Sequence, residues 1–239
     1  MLFRSNRFLL NVPGTARYLV EAGRRITIDP DPATDEAEIC RFLRMTPLAA
    51  LLLQRGFLAL HAAAVVGPDG AVLIAGDSGA GKSTLLAALS QQGWQLLGDD
   101  IGAVALSGSG IPTVYPLFPE TVLWPDALEM LQLVPDAAEK RCRPMEEQFT
   151  TAPQPLKAIY CLSVHKDKPA MERIKGIRLF SLLTTLLYNS RIGDALLERS
   201  AYMALSAAIT HHVIVSSIKR PRGRWCLDEL TAMVAGGGQ

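Results

Sequence analysis

The residues best suited to chemistry stand eight in a row, Gly76-Asp77-Ser78-Gly79-Ala80-Gly81-Lys82-Ser83, with Thr84 after them. They complete the pattern GxxxxGK[ST]. Its glycines permit a tight turn whose N–H groups point inward, and a helix starting at the end of the turn adds the positive end of its dipole. Such a cradle suits phosphate groups. Lys82 can reach the outer phosphates, and the Ser83 hydroxyl can bind Mg²⁺. A second constellation, Asp99-Asp100, follows the apolar pair Leu96-Leu97 with one glycine between. Carboxylates at a strand end can hold Mg²⁺, directly or through water, or accept a proton from an attacking hydroxyl. The letters alone do not divide those roles. His61 opens the apolar run Ala62–Val66, where it can bond a phosphate, orient an acid or simply cap a sheet. His211-His212 has no third ligand at metal spacing.

These groups need a strand before the loop and a helix after it, and the pattern supplies both. Leu58–Val66 and Ala71–Ala75 read as apolar strands around Gly67-Pro68-Asp69-Gly70, a hairpin longer than the two-residue turns. A helix over Ser83–Gln92 puts Leu85, Leu86 and Leu89 on one face and stops at Gly93. The strand Trp94–Leu97 then delivers the acidic pair, which a parallel sheet would set beside the loop. Upstream, a hairpin around Glu21-Ala22-Gly23 precedes two helices divided by Pro47. Downstream, 101–110 reads as a strand and turn. The stretch 112–155 carries eight prolines, with a helix over Asp126–Leu133 and loops elsewhere. A strand over Ala158–Val164, helices over Ile177–Tyr188 and Ala195–Thr210, a strand over Val213–Ile218 and a frayed Gly236-Gly237-Gly238 complete the reading. Residues 1–57 form a small N-terminal region and 58–239 the main domain.

Composition narrows the class. The chain has 239 residues, 49% of them hydrophobic, enough for one large core. Its 24 basic and 23 acidic residues leave a net charge of +1, which gives no argument for nucleic acid or an anionic membrane, and neither is expected as a partner. The apolar run Leu48–Leu60 is interrupted and falls short of the roughly 20 residues of a membrane span. The N-terminus makes a poor secretion signal. Four scattered cysteines, Cys40, Cys142, Cys161 and Cys226, form no metal pattern and read as reduced thiols of a cytoplasmic protein. Basic residues gather at Lys140, Arg141 and Arg143 and again over 219–224. Both groups read as solvated faces, with peptide or phosphate binding as the alternative.

The sequence Leu60-His61-Ala62, the hairpin, GDSGAGKST, a helix and Leu97-Gly98-Asp99-Asp100 together resemble the catalytic domain of the HPr kinase/phosphorylase family. They are most similar to its short members, which include the precursor-peptide serine kinases of lasso-peptide pathways. His61 lies 21 residues before Lys82, and Asp99 and Asp100 lie 17 and 18 after it, at the family's spacing. The resemblance implies an α/β P-loop kinase domain related to phosphoenolpyruvate carboxykinase, with a mixed sheet. It implies ATP or another nucleoside triphosphate bound by Gly76–Thr84, and Mg²⁺ held by Ser83, Asp100 and Asp99. Catalysis falls to Asp99 as base, His61 and Lys82. The expected acceptor is a serine of a peptide or small protein. The glycine- and arginine-rich signature of the bifunctional members has no clean counterpart here, so neither HPr nor the reverse reaction is expected. A small-molecule kinase and a nonenzymatic nucleotide switch remain open, as does a homo-oligomer.

Overall fold

The structure, a computed structural model, describes residues 2–4, 6–133, 141–165, 168–222 and 226–237. The chain begins with four strands, β1 (Leu2–Arg4), β2 (Arg7–Val12), β3 (Ala16–Glu21) and β4 (Arg25–Pro30), antiparallel in sequential order. The hairpin between β3 and β4 forms as expected, with Ala22 and Gly23 both at positive φ. Two helices follow, α1 (Glu36–Leu43), capped by the Asp35 side chain, and α2 (Thr46–Gln54), with Pro47 in its first turn. Phe8 and Val20 of the small sheet and Ala49, Ala50 and Leu53 of α2 share one apolar cluster with Ala59, Ile101, Ala103 and Ile192. The N-terminal region is therefore packed onto the remainder through a common core.

The chain continues through β5 (Leu58–Leu60), β6 (Ala62–Gly67), β7 (Gly70–Gly76), α3 (Lys82–Gln91), β8 (Gln95–Gly98) and β9 (Gly102–Leu106). The next segment holds β10 (Pro112–Tyr115), β11 (Glu120–Leu123), α4 (Pro125–Met130) and β12 (Arg141–Pro144). Last come β13 (Gln154–His165), β14 (Ala170–Arg173), α5 (Ile177–Thr185), α6 (Ser190–Leu196), α7 (Arg199–His212), β15 (Ile214–Pro221) and α8 (Leu227–Gly236). Among the described residues nine strands make one mixed sheet in an α/β fold. β13 runs parallel to both β7 and β15, while β6 pairs antiparallel with β7 on one side and β8 on the other. Strand β7 shows why the sheet is central. Its Leu73 and Ala75 join the cluster under α5 and α7, and its Val72 and Ile74 join the cluster under α3 and α8. A strand covered on both faces reads as an unbroken apolar run. Among the described residues no helix is long and apolar enough to cross a membrane.

Several expectations change. Leu58–Val66 is two strands, because β5 turns away to pair with β9 and the chain bends at His61. The hairpin after β6 closes through two residues, since Gly67 pairs with Gly70. Proline-rich 112–155 contains β10, β11 and β12; Pro112 and Pro144 stand at strand ends, Pro116, Pro119 and Pro153 between elements, and Pro125 at the start of α4, while Pro135 lies outside the described residues. The single helix expected over Ala195–Thr210 is α6 and α7, broken at Leu197-Glu198. Residues 227–236, given no element by the sequence reading, form α8, with Leu230 and Val234 buried against the sheet, so Gly236 ends a helix; Gly238 lies outside the described residues.

Gly76 fixes how β7 leaves the sheet. Its φ is 144°, and a Cβ there would stand 2.3 Å from the Leu162 carbonyl oxygen of β13. We expect Gly76→Ala to cost at least the ~1–3 kcal/mol of a forced conformation, before the clash is counted. A thermal melt checks this. A fall of more than about 4 °C is expected for a chain of this size, and an unchanged midpoint would contradict the account.

Candidate active site

The loop between β7 and α3 is shaped by three glycines at positive φ, Gly76, Gly79 and Gly81, the last serving as N-cap of α3. The first-turn amides of α3 have no partner within the helix and face the loop. Arg220, buried at the end of β15, donates from Nε to the Ala80 carbonyl at 2.7 Å and from Nη2 to the Gly79 carbonyl at 3.3 Å. These bonds fix two carbonyls of the loop, and the Ala80 amide closes a turn on the Asp77 carbonyl at 3.1 Å. Lys82 is 7% exposed and folds back along the loop. Its Nζ donates to the carbonyls of Gly76 (2.9 Å) and Asp77 (3.2 Å) and lies 3.0 Å from His61 Nε2.

The acidic pair reaches the loop by a route other than the one expected. β8 is separated from β7 by β6, and two antiparallel steps restore its direction, so β8 ends on the same edge as β7. Asp99 Oδ1 then accepts from Ser83 Oγ at 3.2 Å and from the Asp100 amide at 2.9 Å. Its Oδ2 accepts from Thr121 Oγ1 at 2.6 Å and from the Val122 amide at 3.3 Å. Four donors occupy the roughly four lone-pair sites of a carboxylate.

Asp100 is arranged differently. It is a non-glycine residue at φ 70°, a sparsely populated conformation that concentrates at functional sites. Its Oδ2 accepts from Tyr188 Oη at 3.1 Å, and its Oδ1 lies 3.3 Å from His61 Nδ1. His61 Nδ1 is also 3.2 Å from the Asp100 carbonyl oxygen. The ring's tautomer is set by its neighbours. The Lys82 ammonium can only donate, so Nε2 accepts, and Nδ1–H donates to Asp100. Burial first and the Lys82 charge second push the His61 pKa below 6.5, against the pull of Asp100. Burial and then the Asp100 charge hold the Tyr188 hydroxyl well above its ordinary range, so it stays a donor. Residues 186–188 lie against β5: His61 N donates to Leu186 O at 2.7 Å and Tyr188 N to Ala59 O at 2.8 Å.

Known proteins add little to this geometry. No family model matches the chain. No curated protein matches it. Among solved structures it is similar to the HPr(Ser) kinase/phosphatase from Coxiella burnetii. That likeness has a TM-score of 0.40 at 14% identity, over 74% of this chain and 91% of that one. At that level it carries no argument, and the roles of the site residues rest on their own geometry and chemistry.

A cleft of about 570 Å³ is lined by His61, Lys82, Ser83, Thr84, Asp100 and Trp124, together with the loop residues Ser78, Gly79 and Gly81. Most of the expected site residues thus meet in one place. Gly76 and Ala80 shape the loop from beneath, Asp77 is exposed at its crest, and Asp99 stands behind Ser83. Sequence reading missed Thr121 and Tyr188, which come from segments with no motif, and gave Trp124 no role in the site. It also placed Arg220 in a solvated stretch, whereas Arg220 is 8% exposed and bound to the loop. Of the other basic residues, Arg143 is exposed on β12 and lines neither cleft beside the loop. Lys140, the Arg141 side chain, Gly223 and Arg224 lie outside the described residues. Desolvation raises the Cys142 and Cys161 thiols to about 11 and about 12, so neither is a ready thiolate nucleophile. Among the described residues no three His, Cys, Asp or Glu side chains gather as a metal site. The Ser83 hydroxyl, oriented by its bond to Asp99, nevertheless keeps oxygen lone pairs of the kind that bind Mg²⁺ alongside phosphate oxygens and water.

A lowered His61 pKa has a stability consequence with a definite sign. The unfolded chain takes up the proton first, so this contribution is complete above about pH 6.5 and is lost as pH falls toward the folded pKa. Wild type should lose thermal stability from about pH 6.5 downward more steeply than His61→Gln. Equal slopes would contradict a neutral, buried His61.

Proposed function

We propose that the chain transfers the terminal phosphoryl group of ATP, or another nucleoside triphosphate, to a serine hydroxyl of a peptide or small protein. The carrying observation is the convergence of Lys82, Ser83, Asp99, Asp100 and His61 beside one glycine-rich loop, with Ser83 Oγ 3.2 Å from Asp99 Oδ1. In this reading residues 58–239 are the catalytic unit and 1–57 a docked N-terminal region. The relationship to the HPr kinase-like family, including its precursor-peptide kinases, is supported by the motif spacing, as is the choice of a peptide serine. A cytoplasmic site of action is part of the same proposal.

The hydrogen bonds support a division of labour within the acidic pair. Ser83 gives its hydrogen to Asp99 and so keeps its lone pairs for a cation. Mg²⁺, when bound there, supplies neutralisation of charge on the phosphate oxygens. Asp99 has all its acceptor sites taken, so it orients Ser83. Asp100 has one donor near each oxygen and retains lone pairs toward the cleft, which makes it the better base. It takes the proton of the acceptor hydroxyl as that oxygen bonds to the γ-phosphorus. The bond from that phosphorus to the β,γ-bridging oxygen breaks, and the nucleoside diphosphate leaves with the electron pair. Lys82 and the loop amides offset charge on the transferred group. Tyr188 and His61 hold the Asp100 carboxylate in one orientation.

Transfer from γ-labelled ATP to peptides tests the assignment. Asp100→Asn should lower kcat by about 10²–10⁴-fold and leave ATP affinity near wild type. Asp99→Asn should chiefly weaken Mg²⁺·ATP binding. Undiminished turnover by Asp100→Asn would overturn the base assignment. Transfer only to a small-molecule hydroxyl would favour a small-molecule kinase, and tight ATP binding without transfer a nonenzymatic switch. Tyr188→Phe removes one hydrogen bond to a charged group, and we expect about a tenfold loss in kcat with KM little changed. A matching rise in KM alone would count against a positioning role.

A further inference from the structure

A second cavity adjoins the glycine-rich loop. It measures about 720 Å³ and is lined by Asp77, Gly79, Ser163, His165, Arg220 and Arg222 among others. Its volume is that of a small-molecule site. It shares Ser78, Gly79, Asp126 and Arg220 with the reacting cleft, so the loop crest is a common wall between the two. Resting on the function proposed above, we propose that this cavity receives the nucleoside half of the donor, its base and ribose.

Topology favours this side. The cavity lies beyond the C-terminal ends of β13 and β15, which run parallel to β7, and ligands of α/β sheets gather outside those ends. Division of the chemistry favours it too. His61, Lys82, Ser83 and Asp100 line the other cleft and none of them lines this one, so an acceptor hydroxyl placed here would find no base. A nucleoside triphosphate is long, and its reacting end must sit with Ser83 and Asp100. Its inert end must leave over the loop, and this cavity offers it a place. The lining suits that end. His165 and Arg222 are exposed and carry planar groups that can stack on a base face. Asp77 and Asp126 offer carboxylates to ribose hydroxyls, a pairing that sugar recognition commonly uses. The Arg222 amide donates to the His165 carbonyl at 2.9 Å, fixing the two strand ends against each other. The acceptor is then left the opposite cleft, past Trp124, which is 57% exposed.

Affinities for ATP and for inorganic tripolyphosphate, both with Mg²⁺, test the proposal on the full chain. Wild type should bind ATP more tightly. The double variant His165→Ala/Arg222→Ala, at exposed positions, should lose about tenfold or more in ATP affinity and keep tripolyphosphate within about twofold. Lys82→Ala should weaken both ligands, because it acts on the phosphates. Unchanged ATP affinity in the double variant would overturn the proposal. A selective loss in Trp124→Ala instead would place the nucleoside in the other cleft and also overturn it. If wild type bound neither ligand, the phosphate-loop reading itself would fall, and this inference with it.

Discussion

The hydrogen bond from Ser83 to Asp99 joins the two halves of the candidate site. Ser83 belongs to the first turn of α3 and Asp99 comes directly after β8, so their meeting at 3.2 Å requires both strands to end on one edge of the sheet. The antiparallel β6, lying between β7 and β8, is what permits it. Moving β8 by one residue would carry Asp99 to the opposite face of the sheet, because side chains alternate along a strand. The register is held by packing: Leu96 belongs to the cluster beneath α3 and Leu97 to the cluster on the other face.

Around that bond the two cations of the site are held by neutral groups. Two carbonyls and a neutral imidazole hold the buried Lys82 ammonium, and a guanidinium holds two carbonyls on the loop's outer side. Burying charged groups is costly unless they are well bonded, and these bonds offset that cost. His61 is the hinge of this network, since one ring nitrogen meets Lys82 and the other meets Asp100. A change in its proton count would therefore be felt by both charges.

Legibility in the sequence depended on how local each signal is. The loop 76–83, the helix after it and the apolar strand before it are contiguous, and their pattern placed them to within a residue or two. The acidic pair was located, but the strand path that brings it to Ser83 was not, because pairing partners are a long-range property. Thr121 and Tyr188 lie 22 and 88 residues from the carboxylates they bond, and neither sits in a motif. Arg220 stood in a run of basic residues that read as solvated, and only the parallel pairing of β15 with β13 brings it under the loop. Strands β10 to β12 were hidden by prolines, which weaken strand signals even where they fall at strand ends.

The central claim is that the Ser83–Asp99 pair serves a metal bound with a nucleotide. Its most direct test is the Mg²⁺ dependence of ATP affinity, measured by titration calorimetry on wild type and Ser83→Ala. The account predicts that Mg²⁺ tightens ATP binding in wild type and that Ser83→Ala removes most of that gain while still binding metal-free ATP. Equal Mg²⁺ dependence in the two proteins, or no ATP binding by wild type, would contradict it.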